Sequence, residues 1–208
     1  MNKIDYSIYL IADYELLGSS NPVDKILSAV QGGVSLVQLR AKNIPDRQFY
    51  ELACLLKKEL KKYKTPLIID DRADIALAAD ADGVHVGQKD LPLGKVRQII
   101  GRDKIIGATA NTLDQALEAE KEGADYIGIG PVFPTTTKQN PAPVVGTEKL
   151  KIICSHIKIP IVAIGGINSS NLPRLKNTGV KGIAVASAIL KAENCAKAAE
   201  KIKIIWLE

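Results

Sequence analysis

The 208-residue chain is poor in aromatic side chains and has no long apolar run. Aromatic residues make up 4% of the sequence, which leaves few surfaces on which the bases of a single-stranded nucleic acid could stack. No apolar run approaches the roughly 20 residues of a membrane-spanning helix. The first residues lack the pattern of a secretory signal. These absences predict a cytoplasmic protein that binds neither nucleic acid nor a membrane.

The sequence also lacks the residue sets of a disulfide framework or of nucleophilic catalysis. Its three cysteines, Cys54, Cys154 and Cys195, are odd in number and do not have the spacing of metal ligands, so we interpret them as free thiols. Of its two histidines, His85 lies between two valines, as a core residue of a strand would, and His156 lies at a predicted helix end. No serine, histidine and aspartate set indicates a protein nucleophile.

The formal charge is +5, from 28 basic and 23 acidic side chains. Much of the excess lies in the lysine-rich stretch 57–64, through which leucines recur at helical spacing. The lysines therefore fall on the solvated face of a helix. A basic patch for nucleic acid is the alternative, and the shortage of aromatic residues argues against it.

Short β-branched runs alternate with longer amphipathic segments from end to end, which predicts a parallel sheet. No Pro/Gly/Ser-rich linker interrupts the series, so we expect one catalytic domain over residues 1–208. The predicted strands are Ile8–Ala12, Val34–Leu39, Leu67–Ile69, Gly83–Val86, Ile105–Ala108, Tyr126–Ile129, Ile161–Ile164 and Gly182–Val185. The predicted helices are Val23–Gln31, Asp46–Lys62, Asp74–Ala79, Leu93–Ile100, Leu113–Glu122, Thr147–His156, Leu172–Asn177 and Ala192–Trp206.

The glycine and proline residues that separate these elements recur with a period of two strand–helix units. Glycine-containing junctions precede the second, fourth, sixth and eighth strands, and a proline directly precedes the third and the seventh. This period predicts an α/β fold of the (β/α)8 TIM-barrel type. A doubly wound open sheet is the alternative, but the turn after the first strand, Ala12-Asp13-Tyr14-Glu15, is not the glycine-rich turn expected there.

In such a barrel the active site lies at the C-terminal ends of the strands. After the second strand, the two-residue period points Gln38, Arg40 and Lys42 in one direction. An amide and two cations at one rim form an anion site, and arginine can bind phosphate in bidentate fashion. A surface cluster of weak ion pairs is the alternative.

Carboxylates follow the next two strands. Asp70 and Asp71 end the third strand, and Asp90 follows the fourth. Asp71 and Asp90 on adjacent strands are suitable ligands for Mg²⁺, which takes one or two carboxylates together with phosphate oxygens and water. The alternatives are a helix N-cap for Asp70 and Asp71, and a turn before Pro92 for Asp90.

Two further rim segments suit phosphate. Gly165-Gly166 follows the seventh strand and Ala186-Ser187 the eighth, where these barrels often bind phosphate through backbone N–H groups. A tight turn is the alternative for the glycines. The loop Gly130–Lys138 after the sixth strand, with two prolines, three threonines and a lysine, is either a set of hydrogen-bond donors for a phosphorylated molecule or a capped turn. The segments after the seventh and eighth strands form one anion site, and the cluster after the second strand forms another across the barrel mouth. Two anion sites with a metal between them indicate two phosphorylated substrates, one of which loses diphosphate.

Taken in order along nearly the whole chain, these motifs resemble the thiamine phosphate synthase family. That family joins an aminomethylpyrimidine diphosphate to a thiazole phosphate and releases diphosphate. The motifs are Gln38-Leu39-Arg40-Ala41-Lys42, Asp71, Gly83-Val84-His85-Val86-Gly87-Gln88-Lys89-Asp90, Gly130–Lys138, Ile164-Gly165-Gly166-Ile167 and Ala186-Ser187-Ala188-Ile189.

The resemblance implies roles on two sides of the site. On the diphosphate side, the strand end Gln38–Lys42 and Lys138 bind diphosphate, and Asp71 and Asp90 are Mg²⁺ ligands. On the thiazole side, two threonines of the long loop contact the substrate, and the rim segments after the seventh and eighth strands bind its phosphate. The residues implied on the thiazole side are Thr135, Thr137, Gly165, Gly166, Ala186 and Ser187.

Three positions depart from the pattern of the family. Asp70 stands where an asparagine that contacts diphosphate is common, and a carboxylate there would repel phosphate unless Mg²⁺ or a lysine intervenes. Thr109 replaces a serine and keeps its hydroxyl, so we expect it to bind substrate. Asn111 replaces a histidine, which weakens the related thiazole tautomerase as an alternative, because an amide cannot shuttle a proton.

The implied mechanism is dissociative. Mg²⁺ neutralises the diphosphate, the pyrimidine C–O bond breaks to give a stabilised cation, and the thiazole nitrogen attacks that cation. Arg40, Lys138 and Thr109 are the expected catalytic residues, acting through position and charge. A non-catalytic thiazole-phosphate-binding regulatory protein is a further alternative. The oligomeric state is left open, a homo-oligomer included.

Overall fold

The computed structural model of the chain describes residues 4–18, 21–137 and 142–208. Its eight strands are β1 (Ile8–Asp13), β2 (Leu36–Arg40), β3 (Leu67–Asp70), β4 (Gly83–Val86), β5 (Ile105–Ala110), β6 (Tyr126–Ile129), β7 (Ile161–Ile164) and β8 (Gly182–Val185). Each strand runs parallel to its neighbours in sequence, and β8 pairs with β1 to close the barrel. The predicted (β/α)8 barrel is confirmed, and closure rules out the open sheet.

Helices surround this barrel. They are α1 (Tyr14–Leu17), α2 (Pro22–Gln31), α3 (Asp46–Lys61), α4 (Ala73–Ala78), α5 (Leu93–Ile100), α6 (Leu113–Lys121), α7 (Gly146–His156), α8 (Ser187–Leu190) and α9 (Cys195–Leu207). The four-residue helices α1 and α8 are absent from the sequence prediction, since four residues are too few to show a helical period. Within the part of the chain that the structure describes, no helix has both the length and the apolar character to cross a membrane.

The prediction of an α-helix over Leu172–Asn177 is wrong. The segment forms a short 3₁₀ helix over Leu172–Leu175. Both the N–H and the hydroxyl of Thr178 donate to the carbonyl of Leu175, at 3.1 and 2.6 Å. Threonine hydroxyls that bond locally to the backbone compete with helix propagation, so the helix ends there.

Strand ends also differ from the prediction in an informative way. The strand β2 begins at Leu36 and not at Val34, because the Ser35 hydroxyl bonds both backbone groups of Ile8, at 3.0 and 3.1 Å. At the opposite end, β1, β2 and β3 each run one residue beyond the prediction. The added residues, Asp13, Arg40 and Asp70, are all charged and all lie at the C-terminal rim.

The core has two parts. A larger cluster fills the space between the barrel and its helices, and a smaller one fills the inside of the barrel. The inner cluster consists of Tyr9, Ile11, Leu36, Ile68, Tyr126, Val162 and Ala184. Each buried side chain of this size stabilises the fold by roughly 1.5–3 kcal/mol. The three cysteines are free thiols, as predicted.

Candidate active site

A cluster of charged side chains occupies the rim above β1, β2 and β3. Asp13 and Arg40 stand opposite each other in the register of β1 and β2, and Arg40 Nη1 lies 2.5 Å from Asp13 Oδ2. The Nε atom of the same guanidinium lies 3.4 Å from Asp70 Oδ2. Asp13 is only 3% exposed. Arg40 is thus held between two carboxylates from the neighbouring strands.

The other predicted anion-binding residues have equally definite partners. Lys42 Nζ is in ionic contact with Asp71 Oδ2 and lies 3.9 Å from Asp70 Oδ2. Gln38 is buried inside the barrel, where its amide nitrogen donates to the Tyr9 hydroxyl at 2.8 Å. The structure brings the predicted cations together at one rim. It also supplies each of them with a carboxylate partner.

Asp71 has an unusual backbone and an unusual side chain. Its φ of +60° lies in the left-handed region, which non-glycine residues rarely adopt and which aspartate and asparagine tolerate best. Its N–H donates to the carbonyl of His85 at 2.7 Å. Its Oδ2 atom is buried, and among the described residues its partner is the Lys42 ammonium, with which it forms an ion pair.

The helix-cap alternative for Asp70 and Asp71 is not observed, because α4 begins at Ala73 without a side-chain cap. The turn alternative for Asp90 is observed. Asp90 Oδ2 accepts the Gly87 N–H at 2.7 Å, and the Asp90 N–H donates back to the Gly87 carbonyl at 3.2 Å. A carboxylate that closes a turn through one oxygen retains lone pairs for a second partner.

Asp71 and Asp90 line one cleft of about 450 Å³, together with Arg72 and Asp74. Arg72 is held by Asp74 and by Asp46, each at 2.6 Å. The hydrogen bonds from Arg72 lower the pKa of both carboxyls. Arg72 and Asp74 therefore satisfy each other. Of the other two cleft carboxylates, Asp71 is paired with the part-exposed Lys42, and Asp90 closes a turn through one oxygen.

The charge of this rim fits a divalent metal. The carboxylates of Asp13, Asp70, Asp71 and Asp90 outnumber the cations Arg40 and Lys42 by two negative charges. No group of three or more candidate ligands occurs among the described residues. Two carboxylates nevertheless suit Mg²⁺, which keeps several waters and takes its other oxygens from substrate phosphates. The buried Oδ2 of Asp71 contacts only the Lys42 ammonium among the described residues, and that side chain is 44% exposed, so this oxygen is well placed to take a metal as a further partner.

On β5, the Thr109 hydroxyl is hydrogen-bonded to His85, with 2.8 Å between Thr109 Oγ1 and His85 Nε2. Its carbonyl accepts the Gln88 side-chain amide at 2.6 Å. His85 is buried and also bonds the Tyr126 hydroxyl through Nδ1 at 2.9 Å. The prediction of His85 as a satisfied core residue is confirmed.

The loop after β6 is docked against the end of β7. The N–H groups of Val132 and Phe133 donate to the carbonyls of Ile164 and Gly165, at 2.9 and 3.0 Å. The loop returns where the Val145 N–H donates to the Pro131 carbonyl at 2.8 Å.

The two glycines after β7 make room for this loop. Gly165 and Gly166 have φ of +96° and +68°, and a Cβ on Gly166 would lie 2.4 Å from the carbonyl oxygen of Pro134. A side chain there would displace the loop. The pair therefore has a packing role next to the predicted phosphate site, and the sequence alone did not predict it.

The remaining predicted residues lie at this side of the rim or outside the described chain. Ala186 and Ser187 form the junction between β8 and α8, so that the first N–H groups of a short helix follow β8 directly. In the β6 loop, Thr135 Oγ1 accepts the Thr137 N–H at 3.3 Å. Lys138 lies outside the described residues.

Sequence reasoning missed Asp13, Tyr9 and Tyr126, and it missed the partners of His85, which it identified only as a core residue. Asp13 is the last residue of β1 and could have been found by the strand-end argument that identified the other rim residues. Tyr9, Tyr126 and His85 bond one another inside the barrel. Only strand alternation signals their inward direction, and nothing in the sequence indicates that they meet.

Known proteins resemble this chain in both sequence and fold. The chain is 50% identical over 206 residues to the thiamine-phosphate synthase of Syntrophomonas wolfei, covering 99% of each chain. It is 48% identical over 203 residues to that of Desulfitobacterium hafniense (strain Y51), covering 98% of each. The solved thiamine phosphate pyrophosphorylase from Pyrococcus furiosus superposes with a TM-score of 0.89 at 43% identity, covering 97% of this chain and 96% of that one.

These relatives match the chain over nearly its full length, so the likeness is not confined to the barrel scaffold. The family predicted from the motifs is confirmed, and with it the predicted transferase class. Because residues 8–189 also match the family model described as thiamine monophosphate synthase, the chain belongs to that family.

Proposed function

We propose that this protein condenses 4-amino-2-methyl-5-hydroxymethylpyrimidine diphosphate with hydroxyethylthiazole phosphate to give thiamine phosphate and diphosphate. The full-length relatives named thiamine-phosphate synthase support this reaction. We propose further that residues 1–208 act as one catalytic domain in the cytoplasm, that the partners are small phosphorylated substrates, and that Mg²⁺ is the cofactor.

The observation that carries the metal-dependent half of the proposal is the Asp71 carboxylate. Its buried Oδ2 contacts the Lys42 ammonium and no other donor among the described residues, and Asp90 lines the same cleft. We assign Asp71 and Asp90 as the Mg²⁺ ligands. Bound Mg²⁺ would supply positive charge to the leaving diphosphate.

Arg40 and Lys42 are assigned to the diphosphate on the same side. Both are held in position by carboxylates. The partner of Lys42 is Asp71, which is also a proposed metal ligand. Asp70, which stands where the family commonly has an asparagine, lies near both cations, at 3.4 and 3.9 Å. Both cations are shared with other carboxylates, so the charge of Asp70 is only partly offset, and a bound Mg²⁺ would reduce its repulsion of phosphate further. Lys138 is proposed to contact the same group.

The thiazole phosphate is assigned to the opposite side of the mouth. Gly165 and Gly166 at the end of β7 adjoin Ala186 and Ser187 at the end of β8, since β7 and β8 are neighbours. Glycine backbone and the first N–H groups of a helix are typical phosphate ligands. Thr135 and Thr137 on the β6 loop are the proposed contacts for the thiazole ring.

Little covalent work is left for protein side chains in this reaction. The C–O bond to diphosphate breaks, both electrons leave with the oxygen, and the thiazole nitrogen donates its lone pair to the resulting pyrimidine cation. Arg40 and Lys138 stabilise charge on the leaving group, and Gln38 and Thr109 orient the pyrimidine to which that group is attached. Fixed dipoles and charges are the effects that such a reaction needs most.

The decisive experiment mixes both substrates with the protein and measures diphosphate release with and without Mg²⁺. We expect release that needs both substrates and stops when EDTA is added. Release that persists without metal, or no release from protein that is folded by circular dichroism, would contradict the proposal. A non-catalytic regulatory protein would bind the thiazole phosphate and release nothing.

The tautomerase alternative needs an acid–base group at position 111. Asn111 instead donates its side-chain amide to the carbonyl of Gly130, and its N–H donates to Gln115 at 2.8 Å. An amide held in this way supports the β6 loop and transfers no proton. We therefore keep the transferase as the proposed function.

A further inference from the structure

A continuous series of hydrogen bonds crosses the inside of the barrel. The Gln38 amide lies 2.8 Å from the Tyr9 hydroxyl, which lies 2.7 Å from the Tyr126 hydroxyl. Tyr126 lies 2.9 Å from His85 Nδ1, and His85 Nε2 lies 2.8 Å from the Thr109 hydroxyl. The five side chains come from β2, β1, β6, β4 and β5. The two ends of the series are both proposed substrate-binding residues.

We infer that these five residues form a directional relay in which Tyr9, Tyr126 and His85 are positioning residues that set the donor and acceptor pattern of Gln38 and Thr109. The inference rests on the proposed function of Gln38 and Thr109, and deepens it. None of the three positioning residues touches the reacting atoms. They act through the two side chains at the ends.

The direction of the relay follows from counting its protons. Because the Gln38 amide nitrogen donates to Tyr9, the Tyr9 oxygen accepts, and its own proton is directed to Tyr126. Tyr126 then donates to His85 Nδ1, which makes Nε2 the protonated nitrogen and the donor to Thr109. In the opposite arrangement Gln38 and Tyr126 would both donate to the Tyr9 oxygen. The proton of Tyr9, whose side chain is 1% exposed, would then have no acceptor among the described residues.

The barrel interior is shaped around the relay. A Cβ on Gly107 would lie 2.3 Å from the Tyr126 hydroxyl and 2.5 Å from His85 Nδ1, and one on Gly128 would lie 3.3 Å from the His85 ring. Strand glycines at these positions leave the space through which the Tyr126–His85 bond passes. Burial raises the pKa of Tyr9 and Tyr126 well above the ordinary value. Both hydroxyls thus keep their protons at any pH used for assay.

This direction has a definite result at the barrel mouth. Thr109 accepts from His85, so its own proton is available to donate to a bound substrate. Gln38 donates inward, so its carbonyl oxygen is left as an acceptor. The rim thus presents one acceptor and one donor of fixed polarity, which matches a flat heterocycle that carries an amino donor beside a ring-nitrogen acceptor.

The tautomer of His85 tests the relay without any assay of activity. The chain has only two histidines, so the side-chain ¹⁵N resonances of His85 can be assigned with a His156→Gln variant. We expect wild-type His85 to carry its proton at Nε2, with Nδ1 as an acceptor. Protonation at Nδ1, or at both nitrogens, would overturn the proposed direction.

A double-mutant cycle tests the consequence for turnover. Tyr126→Phe removes the donor to His85, so the His85 ring can change tautomer and Thr109 is no longer held as an outward donor. We expect a fall in kcat/KM of about three- to tenfold, the size of one hydrogen bond. In a Thr109→Val background the same change should add almost nothing, because the hydroxyl it orients is already gone.

The matched control is Tyr6→Phe. Tyr6 packs against the Tyr126 ring with 5.0 Å between centroids, but has no hydrogen bond in the relay. We expect this variant to turn over as the wild type does. Additive losses in the cycle, or an equal loss in Tyr6→Phe, would show that Tyr126 serves packing alone.

These outcomes are distinct from failure of the proposed function. If the wild type releases no diphosphate, the proposed function fails and the ¹⁵N spectrum still decides the relay. If Tyr126→Phe does not fold, Tyr9→Phe tests the same polarity one bond further from His85. Wild-type turnover in a folded Tyr9→Phe variant would contradict the relay.

Discussion

Replacing Asp71 with asparagine isolates the charge of the most distinctive residue of the site. The backbone at Asp71 is left-handed, with φ of +60°, and asparagine tolerates this conformation as well as aspartate does. The amide keeps the size of the side chain and removes its negative charge. Alanine at this position would add about 1–2 kcal/mol of backbone strain and confuse the interpretation.

The expected effect on stability is small. The Lys42 side chain is 44% exposed, so its ion pair with Asp71 stabilises the fold by no more than about 1 kcal/mol. Removing the buried carboxylate oxygen also removes the cost of burying its charge. The net change in the free energy of unfolding should therefore stay within about 1 kcal/mol.

The expected effect on activity is large. Loss of a charged metal ligand removes stabilisation from the leaving diphosphate, and single electrostatic groups of this kind contribute about 10²–10³ in kcat. Diphosphate release is measured while Mg²⁺ is titrated. We expect the variant to need at least about tenfold more Mg²⁺ for half-maximal rate, because even residues that only orient a metal ligand contribute about 10–100-fold.

The same cleft offers a matched control in Asp74→Asn. Asp74 lines the cleft beside Asp71, but its carboxylate is taken up by Arg72 at 2.6 Å. We expect wild-type turnover and wild-type Mg²⁺ dependence from this variant. If Asp71→Asn keeps the wild-type response to Mg²⁺, or if both variants lose activity alike, Asp71 is not a metal ligand.

Three further predictions concern stability. Arg40→Met leaves the buried Asp13 carboxylate without its cation and should lower the free energy of unfolding in urea by about 3 kcal/mol, and an unchanged value would show that the pair is not formed. Gly166→Ala forces a Cβ against the β6 loop and should lower the free energy of unfolding by about 2–3 kcal/mol. Gly123 also has a positive φ but faces open space, so Gly123→Ala should lower it by only about 1 kcal/mol. Equal losses in the two variants would refute the packing role of Gly166. Burial raises the pKa of the Cys154 thiol from 9.0 to about 11, so the folded state keeps a proton that the unfolded state loses first. That stabilisation is present below about pH 9 and lost as the pH rises through about 11, so the deficit of a Cys154→Ala variant should narrow by about 1–2 kcal/mol over this window, allowing for the part exposure of the thiol; a constant deficit would contradict it.

The architecture was predictable because the same sequence pattern of strand, helix and connecting glycine or proline recurs along the chain. Each buried parallel strand is a short β-branched run, and glycine or proline stands before most of them, so one misjudged boundary changes nothing in the topology. The errors fall where a side chain intervenes in the backbone. The Ser35 hydroxyl delays the start of β2, and Thr178 stops the helix that begins at Leu172. Periodicity carries no information about such local bonds.

The site was predictable only in part, for a related reason. The strand-end rule finds residues that point to the rim, and it found Arg40, Asp71 and Asp90. It does not show which of them face one another, so the pairing of Arg40 with Asp13 and Asp70 comes only from the three-dimensional arrangement. Contacts across the barrel, such as Tyr9 with Tyr126, join residues 117 positions apart and have no signal in a single sequence.

The hydrogen bond from the Val145 N–H to the Pro131 carbonyl holds the two ends of the β6 loop together at the rim of the barrel. The first residues of the loop are fixed, because Val132 and Phe133 bond the end of β7 and Pro134 packs against Gly166. Between Pro134 and Val145 a change of length alters no strand, and each doubling of a flexible loop costs only about 0.6 kcal/mol of closure entropy. Strand residues lack this freedom, since each is fixed by its neighbours in the closed barrel. The β6 loop, which we propose to contact the thiazole, is therefore a part of the rim in which inserted residues can change substrate preference without changing the barrel.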